Sequence, residues 1–186
     1  MPMVQVTMRK GALTPEQKEK LTDRLTHVLL MIEGGTDNPA GRAIAWTIYK
    51  EIDPGDWAIG VKFDGTYEAP GGRFLFSITL PEASLSPDRR PLIIEATNTA
   101  LMETLKLDPE DRLGKSAWVH IHEIPEGHWG AGGEVFGVEK IYHVWGVQDD
   151  GERMAYIKSY LEAKERARAD AFFPGTDVSK SLRSPW

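Results

Sequence analysis

Two parts of this sequence have residue types and spacings that could do chemistry. The first is the proline at position 2. A small second residue permits removal of an initiator methionine, and that removal leaves Pro2 with a secondary amine, a competent base or nucleophile. The reference pKa of an α-amino group, about 7.7 to 8.0, falls when apolar surroundings penalise its charged form. A base tuned in that way is well matched to proton transfer near neutral pH. The second part is "HIHEIPEGHWGAGGE", His120 to Glu134, with three histidines, a tryptophan, four glycines and three glutamates. A zinc site, a phosphate cradle and the wall of a small-molecule pocket are the three chemistries such a run suggests. His120 and His122 would share one face of a strand, with His128 as a possible third ligand. No carboxylate stands in register to complete that set, so no metal is expected. The phosphate reading needs a helix N-terminus behind the glycines, whereas "GAGGE" leads into "VFGV".

The elements that must position these residues come from a duplication. "LTPEQ" at Leu13 and "LSPDR" at Leu85, "AW" at Ala45 and at Ala117, and "EIDPGDWAIG" at Glu51 and "EIPEGHWGAG" at Glu123 are each 72 positions apart. A gapless offset aligning Trp46 with Trp118, Gly55 with Gly127 and Trp57 with Trp129 marks a repeated unit. Each unit opens with an apolar run rich in β-branched and aromatic residues, "MVQVTM" or "FLFSITL", which favours strand. An amphipathic helix follows. In the first unit Thr14, Pro15 and Gln17 form a helix start with a capping box, and Leu21, Leu25, Val28, Leu29 and Ile32 make the stripe. In the second, Ser86 and Pro87 repeat the start, and Ile93, Thr97, Ala100, Leu101 and Leu105 repeat the stripe. Strands "AIAWTIYKEI" and "AWVHIHEI" then close the units by right-handed crossovers.

The expected fold is therefore α+β: tandem β-α-β units forming a four-stranded mixed sheet with two helices on one face. Residues 1–72 form the first unit and 73–136 the second unit of the same domain. Residues 137–186 form a C-terminal extension, in which "KIYHVWGV" reads as a strand, "ERMAYIKSYLEAKERARADAFF" as a helix and "PGTDVSKSLRSPW" as an irregular tail. Apolar residues of both parities in "FLFSITL" require cover on the sheet's second face too, from another layer or another subunit. Trp46 reads as a core residue.

Composition narrows the partners. A formal charge of -6 over 186 residues gives no basic footprint for nucleic acid or an anionic membrane. With no cysteine there is neither a thiolate nucleophile nor a disulfide framework, and no apolar run reaches membrane-spanning length. The expected setting is the cytoplasm and the expected partner a small molecule.

A proline at position 2 opening a strand, the turn "KGALTPEQK", an amphipathic helix and a strand closing in "GHWGAGGE" together resemble the tautomerase superfamily, typified by 4-oxalocrotonate tautomerase. The duplication is similar to its fused two-unit members over roughly residues 2–136. The resemblance implies a homotrimer with no cofactor, in which Pro2 is the catalytic base or acid and Trp129 supplies an apolar wall. The arginines with which such enzymes bind carboxylates are replaced here by Ala12, Trp46 and Trp118. Arg42 and Arg73 are the candidate substitutes, Trp118 the candidate pocket wall, and His120 a polar assistant at a position where fused dehalogenases carry a tyrosine. The function implied is a tautomerase moving a proton on a small 2-oxo acid or enol. The alternatives are a hydratase or dehalogenase acting on unsaturated or halogenated acids, and a non-catalytic trimeric binding module. Phe74 holds the Pro2 position in the second unit, so one amine per chain is the maximum.

Overall fold

The computed structural model describes residues 2–108, 116–148 and 151–172. The chain divides into two compact units, Met1–Val147 and Gln148–Trp186.

In the first compact unit, β1 (Met3–Arg9) pairs in parallel with β2 (Trp46–Ile52) and antiparallel with β3 (Phe74–Pro81), which pairs in parallel with β4 (Ala117–Ile124). The sheet order is β2-β1-β3-β4. Alternation decides the faces: Val4, Val6 and Met8 of β1 and Phe74, Phe76, Ile78 and Leu80 of β3 are buried, while Met3, Gln5, Thr7, Leu75, Ser77 and Thr79 point the other way and are half-buried. The buried set packs on the apolar stripes of α1 (Pro15–Gly34) and α3 (Arg89–Leu105), with Leu21, Leu25, Leu29, Ile93 and Leu101 in one cluster.

The capping box of α1 forms as expected: the Gln17 N–H donates to the Thr14 hydroxyl (3.2 Å) and the Thr14 N–H to the Gln17 side chain (2.9 Å). The second unit lacks it. A turn closed by Arg89 N–H on the Ser86 carbonyl (3.0 Å) comes first, and α3 runs from Arg89 with no side-chain cap. A short helix, α2 (Pro39–Ile44), capped by the Asn38 side chain on Gly41 N–H (2.8 Å), occupies the first unit's connection. Most of the second unit's connection, residues 109–115, lies outside the described residues.

The offset of 72 extends to the ends of both units. An isolated bridge joins Ile59 to Lys62, and 72 positions on Ala131 pairs with Glu134 in the hairpin of β5 (Gly130–Ala131) and β6 (Glu134–Val135). Gly60 and Gly132 both take left-handed φ, 62° and 59°, a conformation that favours glycine.

Two expectations are corrected. "KIYHVWGV" is not a strand: Val138–Trp145 is a helix, α4, ended by Gly146 at φ 75°. Its β-branched and aromatic content suggested strand, but Val138, Ile141, Tyr142 and Trp145 recur at helical spacing and all four are buried. Trp46 is not core. It is 62% exposed, like Trp118 at 59%, because both stand on the sheet face away from the helices.

The second compact unit contains α5 (Glu152–Phe172), the expected C-terminal helix. Tyr156 and Tyr160, one turn apart, have ring centroids 6.1 Å apart, and Arg166 lies 3.8 Å from Glu162. The expected irregular tail lies outside the described residues. Among those residues no helix is long and apolar enough to cross a membrane.

Candidate functional site at the proline end of the sheet

Pro2 is buried immediately before β1, and its carbonyl accepts the Trp46 N–H at 3.2 Å. The next residue, Met3, pairs with Trp46 on one side and Thr79 on the other. The start of β2 and the end of β3 therefore surround the proline. Beyond β3 the chain turns through five buried residues, 81–85, with Ala83 in the left-handed region at φ 65°, an unusual conformation for a residue bearing a Cβ.

Helix α4 (Val138–Trp145) holds this end together. The Tyr142 hydroxyl reaches two carbonyls, Glu33 at 3.1 Å and Ser84 at 3.4 Å, linking the end of α1 to the 81–85 turn. The Asn38 amide donates to the Trp145 carbonyl at 3.1 Å. The Trp145 indole is fully buried over Gly34 and Gly41, where a Cβ on either glycine would fall within the ring. A carboxylate relay continues the linkage: Glu82 accepts the Glu126 N–H at 3.1 Å, and Glu126 accepts the Val138 N–H at 3.1 Å, at the start of α4. Acids near the positive end of a helix are favourably placed. Trp129 stands half-buried at the base of the β5–β6 hairpin, its carbonyl accepting the Phe136 N–H at 2.8 Å.

Arg42 belongs to α2 but does not present a free cation. Its Nε and Nη2 donate to Asp37 at 2.6 and 2.7 Å, and Nη1 donates to Asp23 at 2.7 Å. The guanidinium, with a hydrogen bond from His27, holds the Asp37 carboxyl down at about 2, and the two carboxylates hold Arg42 firmly charged.

The other expected residues gather at the opposite end of the sheet. Met8 pairs with Phe74, so six residues of strand separate Pro2 from that row, about 20 Å at ~3.3 Å per residue. Trp118, His120, Arg73 and Phe74 line a cavity of about 330 Å³ there, together with Trp57 and Ser116. His120 lies edge-on between Trp118 and His122, with ring centroids 6.4 and 6.0 Å away. Arg73 is 1% exposed and fully engaged: Nε donates to Glu68 at 2.9 Å and the two terminal nitrogens donate to the carbonyls of Trp57 and Asp64. Arg9 reaches the same Glu68 oxygen at 3.1 Å. The Thr66 hydroxyl and N–H, with Arg73 and Arg9 contributing, hold Asp64 below the usual carboxylate range. Among the described residues no group of three His, Asp or Glu side chains is placed to hold a metal ion.

Within one chain the structure thus brings Trp118, His120 and Arg73 together and leaves Pro2 elsewhere. The sequence did not point to the 81–85 turn or Tyr142, and Trp46 was expected in the core rather than beside Pro2. For Trp46 the signal was available, because a parallel β1–β2 pair sets the start of β2 beside the start of β1.

A family model described as tautomerase enzyme matches residues 76–139. Over that segment the sequence is similar to the tautomerase family. The tautomerase match begins in β3 and ends in the first turn of α4, so it covers the second unit and not the one that carries Pro2. Among solved structures, tautomerase-fold neighbours include a member of the cis-3-chloroacrylic acid dehalogenase family, 18% identical over 83% of this chain and 97% of that one, with a TM-score of 0.60. A fused 4-OT described as an asymmetric trimer is 16% identical over 72% and 94%, with a TM-score of 0.56. A malonate semialdehyde decarboxylase, whose structures are described as a basis for decarboxylase and hydratase activities, is 14% identical over 70% and 90%, at 0.51. These likenesses show the fold. No curated protein matches the sequence.

Proposed function

We propose that the protein is a cofactor-independent tautomerase that moves a proton on a small 2-oxo acid or its enol, with Pro2 as the base. The observation that carries this reading is the burial of Pro2 at the start of an inner strand, between β2 and β3. On release of Met1, the Pro2 nitrogen takes the proton of the enol hydroxyl. The O–H pair becomes the new C=O bond, and the C=C pair takes a proton back at carbon from the proline ammonium. Protons and electrons balance with no co-reactant. Trp46 and Trp129 supply the walls at that end, and the pyrrolidine ring ties the nitrogen to the strand backbone with little freedom to lose.

The assembly in this reading is a homotrimer. Its support is the open sheet face beside the proline, where Trp46 and the 46%-exposed Ile48 stand in water in a single chain. The substrate it favours is an aromatic monocarboxylate enol. Ala12, Trp46 and Trp118 stand where carboxylate-binding arginines would be expected, and Arg42 and Arg73 are held by acids and carbonyls of their own chain.

Intact mass of the purified protein should show loss of Met1. Pro2→Ala should then lower kcat/KM for phenylenolpyruvate ketonisation by roughly a hundredfold to ten-thousandfold, the usual contribution of a positioned general base. A dicarboxylate enol should be the poorer substrate. Wild-type activity in a trimeric Pro2→Ala protein would make Pro2 only the first residue before a strand, and the binding-module alternative would replace this reading.

A further inference from the structure

The cavity at the Phe74 end lies outside the chemistry proposed for Pro2. We propose that it is a second binding site, for a small uncharged aromatic molecule carrying a hydroxyl or ring N–H.

Its position comes from the duplication. Shifted by 72, Trp57 becomes Trp129, Phe74 becomes Pro2 and Trp118 becomes Trp46. The repeat supplies each place with the same three parts, a strand start, a tryptophan at the start of the neighbouring strand and a tryptophan before a hairpin, and at the Phe74 end all three line one cavity. At this one the strand start is a phenylalanine, which has no amine. Such a site can hold a ligand but has no terminal amine to offer it.

Size and lining define the ligand. About 330 Å³ lies at the small end of the range for small-molecule pockets, which begins near 300 Å³. Trp57, Phe74 and Trp118 offer aromatic surfaces, against which a planar ring gains offset or edge-to-face contacts. Charge excludes an anion as the preferred guest. Arg73 and Arg9 are matched by Glu68 and the nearby Asp64, and every guanidinium nitrogen of Arg73 already donates. Two polar groups remain on the wall. The Ser116 hydroxyl accepts the Ala69 N–H at 2.7 Å, which leaves its own proton for a guest, and the His120 imidazole lies exposed beside Trp118.

Calorimetric titration of the full-length protein with 4-methylphenol and with benzoate tests this with one ring in two charge states. The expected result is saturable binding of 4-methylphenol, one per chain, with benzoate at least tenfold weaker. Trp118→Ala should weaken 4-methylphenol at least tenfold. Ala58→Leu, which fills the cavity from its half-buried hairpin, should do the same while leaving enol turnover within twofold. Pro2→Ala should bind 4-methylphenol as the parent does. Absence of saturable binding to the folded protein, a preference for benzoate, or binding lost in Pro2→Ala and kept in Ala58→Leu would each overturn the assignment. The last would put the phenol at the proline end. Pro2→Ala turnover tests the tautomerase reading and Ala58→Leu binding tests this one, so either can fail while the other stands.

Discussion

The two ends of the sheet are built from the same repeat, and the way each is closed separates them. At the Phe74 end the closing piece is a long excursion after β2, tied down by Arg73 through Glu68 and two carbonyls. At the Pro2 end it is α4, an apolar helix from outside the repeat, seated on two glycines by Trp145. One end is held by a buried ionic contact and the other by ring packing. The duplication supplied the frame twice, and residues that do not repeat determined what each frame encloses. The family's sequence signature falls on the unit without the proline, so the half that looks most like a tautomerase is not the half in which proton transfer is proposed.

The largest effect that would sharpen this contrast concerns the two closures. Trp145→Ala should cost about 3–5 kcal/mol, the usual range for emptying a buried tryptophan site. The loss should show as a lower denaturation midpoint carried mostly by faster unfolding. Arg73→Leu should cost less, about 2–3 kcal/mol, because Glu68 keeps Arg9 while two carbonyls lose a donor. Equal losses at the two ends, measured by urea unfolding at pH 7, would mean the closures are energetically alike.

A smaller effect compares the two repeated tryptophans. Trp129→Ala should lower kcat/KM for the enol about tenfold, or ~1.4 kcal/mol. Trp57→Ala should leave turnover within about twofold. A reversed pattern would move the reaction to the Phe74 end and break the comparison outright.

The smallest effect is at Asp37, beside the proline end. Its folded pKa is depressed to about 2, so the stabilisation it brings is present above the unfolded carboxylate value, near 3.9, and is lost as pH falls from about 4 towards 2. Arg42 is partly exposed and solvent screens the pair, so Asp37→Asn should cost about 1 kcal/mol or less at pH 7. The difference between mutant and parent should disappear in unfolding curves taken near pH 2.

Much of the frame was legible because the offset of 72 is gapless: strands, helices, crossovers and hairpins fall where one unit predicts the other. The face carrying Trp118, His120 and His122 also follows from alternation alone, and all three are exposed. What escaped notice had physical reasons. In "KIYHVWGV" the aromatic and β-branched types favour strand, and only the spacing of four side chains reveals the helix. Trp46 was assigned to the core by its size, whereas face is set by register. Within one chain Trp118 and His120 lie away from Pro2 because β1 and β3 run antiparallel, and that pairing sends equivalent positions of the two units to opposite ends.

The position of α4 along the chain also orders its assembly. Tyr142 closes on Glu33 across 109 residues and Asn38 on Trp145 across 107, among the longest spans in the structure. Contacts so remote carry a loop-closure cost that is best met once the intervening chain is already compact. During synthesis the sheet and both long helices can gather while the end beside Pro2 still lacks its cover. That cover arrives only after more than a hundred residues have followed the proline.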